Sequence, residues 1–119
     1  METRAATGIV AKAEEPVCEH FQLAADIIGR RWNPQILRVL LGGPARYRDL
    51  RTAIPSISDH LLSQRLKELE SVGILIRTVD DGGPIRVEYS LTDAGEGLAG
   101  AIGALAAWAE RFAPVRAPS

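Results

Sequence analysis

A single helix with both ends marked constrains this chain more than any other feature: Ser56-Ile57-Ser58-Asp59-His60-Leu61-Leu62-Ser63-Gln64-Arg65-Leu66-Lys67-Glu68-Leu69-Glu70-Ser71-Val72-Gly73. Ser58 suits the N-cap, because its hydroxyl accepts from the free N–H groups of a first helical turn. Asp59 then puts a negative charge where the helix dipole favours one. Gly73 stands where a left-handed residue closes a helix. Between these ends Leu61, Leu62, Leu66, Leu69 and Val72 recur at helical spacing on one broad face. The opposite face carries Asp59, His60, Ser63, Gln64 and Lys67. These side chains are short or hydrogen-bonding, whereas a merely solvated face more often carries long Glu/Lys pairs.

The flanking segments supply a frame for that helix. Phe21, Leu23, Ala24, Ile27 and Ile28 have helical spacing over Cys18–Ile28, and Gly29 stops them. Asn33-Pro34 predicts a second helix start, with Asn33 as N-cap and proline in the first turn. Its apolar positions are Ile36, Leu37, Val39, Leu40 and Leu41, and Gly42-Gly43-Pro44 ends it. Tyr47–Ile54 reads as a short third helix stopped by Pro55, with Ala45-Arg46 before it as a brief extended stretch. A short helix, a turn of three or four residues and a longer capped helix form the outline of a helix-turn-helix. After Gly73 the period changes. Leu75–Val79 and Arg86–Leu91 read as strands around the turn cluster Asp80-Asp81-Gly82-Gly83-Pro84, a hairpin in the position of a wing. Thr92 caps a last helix expected to run unbroken from Asp93 to about Phe112. Gly95, Gly97, Gly100 and Gly103 lie inside it, each costing about 1 kcal/mol against alanine. Such small residues suit close helix–helix contact, including contact across a dimer axis.

Length and composition narrow the class. The 119 residues suffice for one domain. The formal net charge is −1, but its distribution is uneven: residues 30–86 carry +4 between flanks of −3 and −2. A basic centre between acidic ends fits a module that turns one surface to DNA. One cysteine excludes an internal disulfide framework and points to a reducing compartment. The start lacks a signal pattern, and the most apolar run, residues 97–109, is too short to span a bilayer. These features predict a cytoplasmic protein without membrane association. Two histidines and one cysteine without ligand spacing make no metal set, and the glycine pairs match no phosphate loop. No nucleophile–base pair is evident either, so no enzyme, cofactor or metal is expected. The expected organisation is a tail over 1–17, a domain over 18–112 and a tail over 113–119.

The motifs Asp26-Ile27-Ile28-Gly29-Arg30-Arg31-Trp32, Ile36-Leu37-Arg38-Val39-Leu40, Tyr47-Arg48-Asp49-Leu50, Ile57-Ser58, Leu62-Ser63-Gln64-Arg65-Leu66-Lys67-Glu68-Leu69-Glu70, Gly73-Ile74-Leu75-Ile76-Arg77, Val87-Glu88-Tyr89-Ser90-Leu91-Thr92 and Ala94-Gly95, in this order and spacing, closely resemble the HxlR family of bacterial regulators. The likeness covers roughly residues 18–112. It implies a mainly α fold with a small β-hairpin, a winged helix-turn-helix related in architecture to the MarR group, dimerising through its first and last helices. It also implies a homodimeric transcription regulator, commonly a repressor, that binds double-stranded DNA at a near-palindromic site and in many members responds to a small molecule, electrophile or oxidant. The rival class is a winged helix used for protein contact without DNA.

On that expectation the residues divide by role. Ser58, His60, Ser63, Gln64 and Lys67 line the outer face of the capped helix. Gln64 matches an adenine edge, Ser63 a base or a phosphate, and Lys67 a phosphate. Arg46, Arg48 and Arg51 flank the preceding helix as candidate backbone contacts, and Arg77 and Arg86 lie on the wing as candidates for phosphate or the minor groove, although Asp80 and Asp81 make the wing tip acidic and argue against deep insertion. Arg65 lies between the two faces, where it reaches either DNA or an acidic residue of its own domain. Asp59 fits poorly at a phosphate surface and is read as a helix-start charge. Phe21, Leu98, Ile102, Leu105, Trp108 and Phe112 are the candidate dimer contacts, and Trp32 and Trp108 are read as core or interface anchors. Cys18 is the one candidate redox or effector sensor, the alternative being a small apolar residue near the dimer contact. Departures from the family pattern are the position of Cys18, about one residue early, and Glu19-His20 in place of the usual following proline.

Overall fold

The structure, a computed structural model, describes residues 13–114. Most of the two expected tails lies outside the described residues. The described residues divide into two compact units, 13–30 and 31–114. In the first, α1 (Glu19–Gly29) starts directly after Cys18, whose carbonyl accepts from the Gln22 N–H at 2.9 Å. None of its side chains is buried, and Phe21 and Leu23 are 64% and 58% exposed.

The second unit runs α2 (Asn33–Leu40), α3 (Tyr47–Ala53), α4 (Asp59–Ser71), β1 (Leu75–Asp80), β2 (Arg86–Leu91), α5 (Asp93–Glu96) and α6 (Ala99–Phe112). Its core is built from Ile36, Leu37 and Leu40 of α2, Leu50 of α3, Ile57 of the turn, Leu62, Leu66 and Leu69 of α4, and Leu75 of β1, all essentially without solvent exposure. Each such side chain contributes about 1.5–3 kcal/mol by leaving water. This shared core fixes α4 across α2 and α3. No helix among the described residues is long and apolar enough to cross a membrane.

Both ends of α4 form as their residues require. The Ser58 hydroxyl accepts from the Leu61 N–H at 3.1 Å. At the far end Gly73 is left-handed (φ 80°), the Ile74 N–H reaches the Leu69 carbonyl at 2.9 Å, and the Gly73 N–H reaches the Glu70 carbonyl at 3.1 Å. That pair of bonds is a Schellman closure. Val72, just past the last turn, is 52% exposed and leaves the apolar face to Leu62, Leu66 and Leu69.

The hairpin is antiparallel, with Leu75 opposite Leu91 and Asp80 opposite Arg86. Ala45 adds a third rung: its N–H donates to the Tyr89 carbonyl at 2.9 Å, and the Tyr89 N–H returns to the Ala45 carbonyl at 2.8 Å. The extended stretch expected before α3 is thus stitched onto the wing.

Two expectations are corrected. Asn33 is not the N-cap of α2. Trp32 takes that place in a left-handed conformation (φ 80°), with the Arg31 guanidinium 4.9 Å from its ring centroid, and Asn33 becomes a buried helical residue. The final helix is also not continuous. Thr92 caps α5, accepting from the Gly95 N–H at 3.2 Å. The chain then tightens, with the Leu98 N–H bonding to the Gly95 carbonyl at 3.0 Å before α6 begins. Gly95 explains part of the glycine excess. A Cβ there would lie 2.3 Å from the Ile74 carbonyl oxygen and 2.9 Å from Leu91 Cδ2, so only glycine lets α5 rest on the α4–β1 turn. Gly100 and Gly103 face open space.

Candidate nucleic-acid interface

The polar side of α4 is held in place by α3. The Tyr47 hydroxyl donates to the Asp59 carboxylate at 3.0 Å, and Arg51 Nε lies 3.0 Å from the same carboxylate oxygen. Arg51 Nη1 also donates to the Ile57 carbonyl in the turn. The Arg51 side chain is 34% exposed and that of Asp59 76%, so the ion pair contributes at most about 1 kcal/mol. Its effect is therefore positional: it sets the angle between α3 and the first turn of α4. Asp59, the residue hardest to reconcile with DNA, has its role inside the helix-turn-helix. Arg51, a candidate phosphate contact by sequence, is engaged in the same brace.

Arg65 is likewise engaged within the domain. It is 8% exposed, its Nε donates to the Arg31 carbonyl at 2.9 Å, and its Nη1 reaches a Glu68 carboxylate oxygen at 3.3 Å. Of its two readings, the intramolecular one describes this geometry, because the helical phase at position 65 follows the buried leucines. His60, Gln64 and Lys67 are exposed, and Ser63 is half-buried, with its hydroxyl 3.5 Å from the Tyr47 oxygen. The Ser58 hydroxyl is occupied by its capping bond. Arg48 is exposed on α3, and Arg46 is half-buried at its start, its N–H donating to the Asp49 carboxylate at 2.9 Å. Arg77 and Arg86 are exposed on the hairpin.

Ser63, Lys67 and Arg77 meet. Together with Leu66, Glu70 and Tyr89 they line a cavity of about 400 Å³ between α4 and the hairpin. Tyr89 and Glu70 were not singled out by sequence reasoning. Tyr89 sits opposite Arg77 in the hairpin register, a pairing that appears only once the register is known. The remaining arginine candidates, Arg46, Arg48 and Arg86, do not line this cavity.

On α6, Leu105, Trp108 and Phe112 are 48%, 55% and 59% exposed, with the Trp108 and Phe112 rings 5.9 Å apart. Leu98 is half-buried. Ile102, expected at a dimer contact, is only 4% exposed and belongs to the core of its own chain. Trp108 is thus a surface residue, whereas Trp32 is half-buried.

Cys18 is exposed at the start of α1. The backbone N–H groups of Phe21, and secondarily of His20, in the first turn favour the thiolate and hold the thiol below its ordinary range. Among the described residues no group of three or more His, Cys, Asp or Glu could hold a metal ion.

Comparison with known proteins agrees with this architecture. The HxlR-like helix-turn-helix family matches residues 27–117. The uncharacterised HTH-type transcriptional regulator YvaP of Bacillus subtilis (strain 168) is 42% identical over 99 residues, which cover 83% of this chain and 92% of YvaP. The HTH-type transcriptional regulator YodB of the same organism is 38% identical over 96 residues, 81% of this chain and 86% of YodB. The reduced YodB structure superposes with a TM-score of 0.74 at 36% identity, covering 86% of this chain and all (100%) of that one. Quinone-bound YodB gives 0.69 at 38% identity over 81% and 100% of the two chains. The redox regulator HypR in its oxidised form gives 0.76 at 32% identity over 81% and 99%. These relatives are transcriptional regulators, not enzymes. The fold is the winged helix-turn-helix, and the chain belongs to the HxlR-like helix-turn-helix family of transcriptional regulators.

Proposed function

We propose that this chain is a sequence-specific DNA-binding repressor that acts as a homodimer and answers to an electrophile or oxidant through Cys18. The observation that carries the DNA reading is the face of α4. It leaves His60, Gln64 and Lys67 exposed beside a wing that carries Arg77 and Arg86 as well as Asp80 and Asp81, while the Tyr47–Asp59–Arg51 brace fixes its entry angle. Such a helix fits the major groove, where Gln64 can bond an adenine edge bidentately. Ser63 is the neighbouring polar contact on that face. Lys67, Arg48, Arg46, Arg77 and Arg86 supply phosphate contacts, and Ser58 and His60 lie at the helix start nearest the backbone. Arg65 is left to the fold.

The dimer reading rests on exposed apolar side chains in both units. Phe21 on α1 and Leu105, Trp108 and Phe112 on α6 each leave about half or more of their surface to water, and a second copy would cover them. A two-fold pair of α4 helices then meets successive major grooves about 34 Å apart. The sensor reading rests on the exposed, acidified thiol at the start of α1. It is supported by relatives solved in quinone-bound and oxidised forms.

Selection of bound duplexes from a random pool tests the reading, with and without a quinone or diamide. A near-palindromic consensus is expected, lost on treatment, and retained under treatment by Cys18→Ser. Gln64→Ala should flatten one position of the consensus in each half-site, at a cost of about 1–3 kcal/mol. An enriched pool with no consensus would refute sequence-specific binding.

A further inference from the structure

The cavity between α4 and the hairpin has a chemistry of its own. Ser63, Lys67 and Glu70 recur at i, i+4 and i+7 and so form one stripe of α4. Arg77 and Tyr89 are directly opposed in the hairpin register, which puts their side chains side by side on one face of the sheet. Leu66, 2% exposed, floors the space between stripe and pair. Lys67, Arg77 and Tyr89 bring an ammonium, a guanidinium and a phenol to its lining beside Ser63, and Glu70 supplies the single carboxylate. Base edges offer donors and acceptors together, whereas a phosphodiester offers acceptors alone. Two cations and a phenol donor match the latter.

We propose that this cavity seats one phosphodiester of the DNA backbone, with the Tyr89 phenol donating to a non-bridging oxygen and Glu70 acting as a built-in electrostatic counterweight. The assignment rests on the DNA-binding reading above and adds two residues to it. Tyr89 is suited to the task because it is already immobilised. It is half-buried, and both its backbone N–H and its carbonyl are engaged by Ala45. Little freedom is lost when its hydroxyl meets a phosphate. Glu70 shares the α4 stripe with Lys67, and its charge opposes any polyanion entering the cavity. It weakens the grip on every sequence equally and leaves discrimination to the groove-facing residues.

The test measures anisotropy of the full chain with a short labelled duplex of random sequence, across roughly 50–200 mM salt. Tyr89→Phe should bind about three- to tenfold more weakly, the loss of one hydrogen bond. Glu70→Gln should bind about three- to fivefold more tightly at the low-salt end, with the gain shrinking as salt rises. Lys67→Gln and Arg77→Gln should each lower the slope of log affinity against log salt by about one. Arg38→Gln, which removes a cation that does not line this cavity, should leave affinity unchanged. If the unaltered chain shows no salt-dependent affinity for the duplex, the DNA reading falls and this assignment with it. If it binds but Tyr89→Phe and Glu70→Gln both match it, the cavity assignment alone is overturned. Should Tyr89→Phe misfold by circular dichroism, Glu70→Gln decides alone: binding equal to or weaker than that of the unaltered chain refutes the counterweight.

Discussion

Gly95→Ala isolates one contact that joins the wing to the C-terminal helices. The new Cβ would sit 2.3 Å from the Ile74 carbonyl oxygen, 2.9 Å from Leu91 Cδ2 and 3.1 Å from Leu91 Cβ. A carbon rests against a carbonyl oxygen at about 3.3 Å or more, so α5 and the α4–β1 turn must separate by about 1 Å. The Ile74 carbonyl is also the acceptor for the Thr92 N–H at 3.0 Å, a bond this separation strains. Overpacking costs about 1–3 kcal/mol and the strained hydrogen bond about 1 kcal/mol. Alanine returns about 1 kcal/mol of helix propensity. The balance is a destabilisation of about 1–3 kcal/mol. Urea denaturation followed by far-ultraviolet circular dichroism should show the midpoint falling by about 1 M with an unchanged slope. Gly100→Ala provides the comparison, since its Cβ meets nothing within 4 Å and propensity alone predicts a gain of up to about 1 kcal/mol. A Gly95→Ala chain as stable as the unaltered one would refute the close-approach argument.

Arg65→Ala should destabilise the fold by about 1–3 kcal/mol, and Arg65→Met, which keeps the buried stem, by less. Both should bind duplex DNA like the unaltered chain at equal folded concentration, and a changed salt slope would return Arg65 to the DNA surface. Cys18 should alkylate with iodoacetamide at a rate whose pH midpoint lies below that of the urea-unfolded chain, because first-turn N–H groups favour the thiolate only when α1 is formed. Coincident pH profiles in the folded and unfolded chain would remove that effect. Trp108→Glu places a charge on the exposed apolar face of α6 and should yield a monomer by sedimentation velocity, whereas a persistent dimer would locate the interface elsewhere.

Much of the fold was legible in single residues whose chemistry acts locally. Ser58 and Gly73 marked α4, Thr92 marked α5, and the change of period after Gly73 marked the hairpin. What escaped depends on partners distant in sequence or on backbone conformations rare for the residue type. Trp32 is left-handed, which its side chain disfavours, so Asn33 looked like the cap. The break at Gly97-Leu98 comes just after Gly95 docks on Ile74, a contact no helical pattern contains. At the interface, the exposed positions of α4 followed from phase alone, whereas the task of Asp59 required Tyr47 and Arg51 from the neighbouring helix. Arg65 is charged and lies between the faces, and only its partners decide its direction. Tyr89 read as a strand residue until the register placed it beside Arg77.

Thr92 has one further consequence. Its hydroxyl donates to the Gly73 carbonyl at 2.6 Å while accepting from the Gly95 N–H, so the exit of α4, the root of β1 and the first turn of α5 share one fastening. In mechanical terms this corner is a bracket held by one pin: removing the Thr92 hydroxyl would release all three chain ends at once, not one of them.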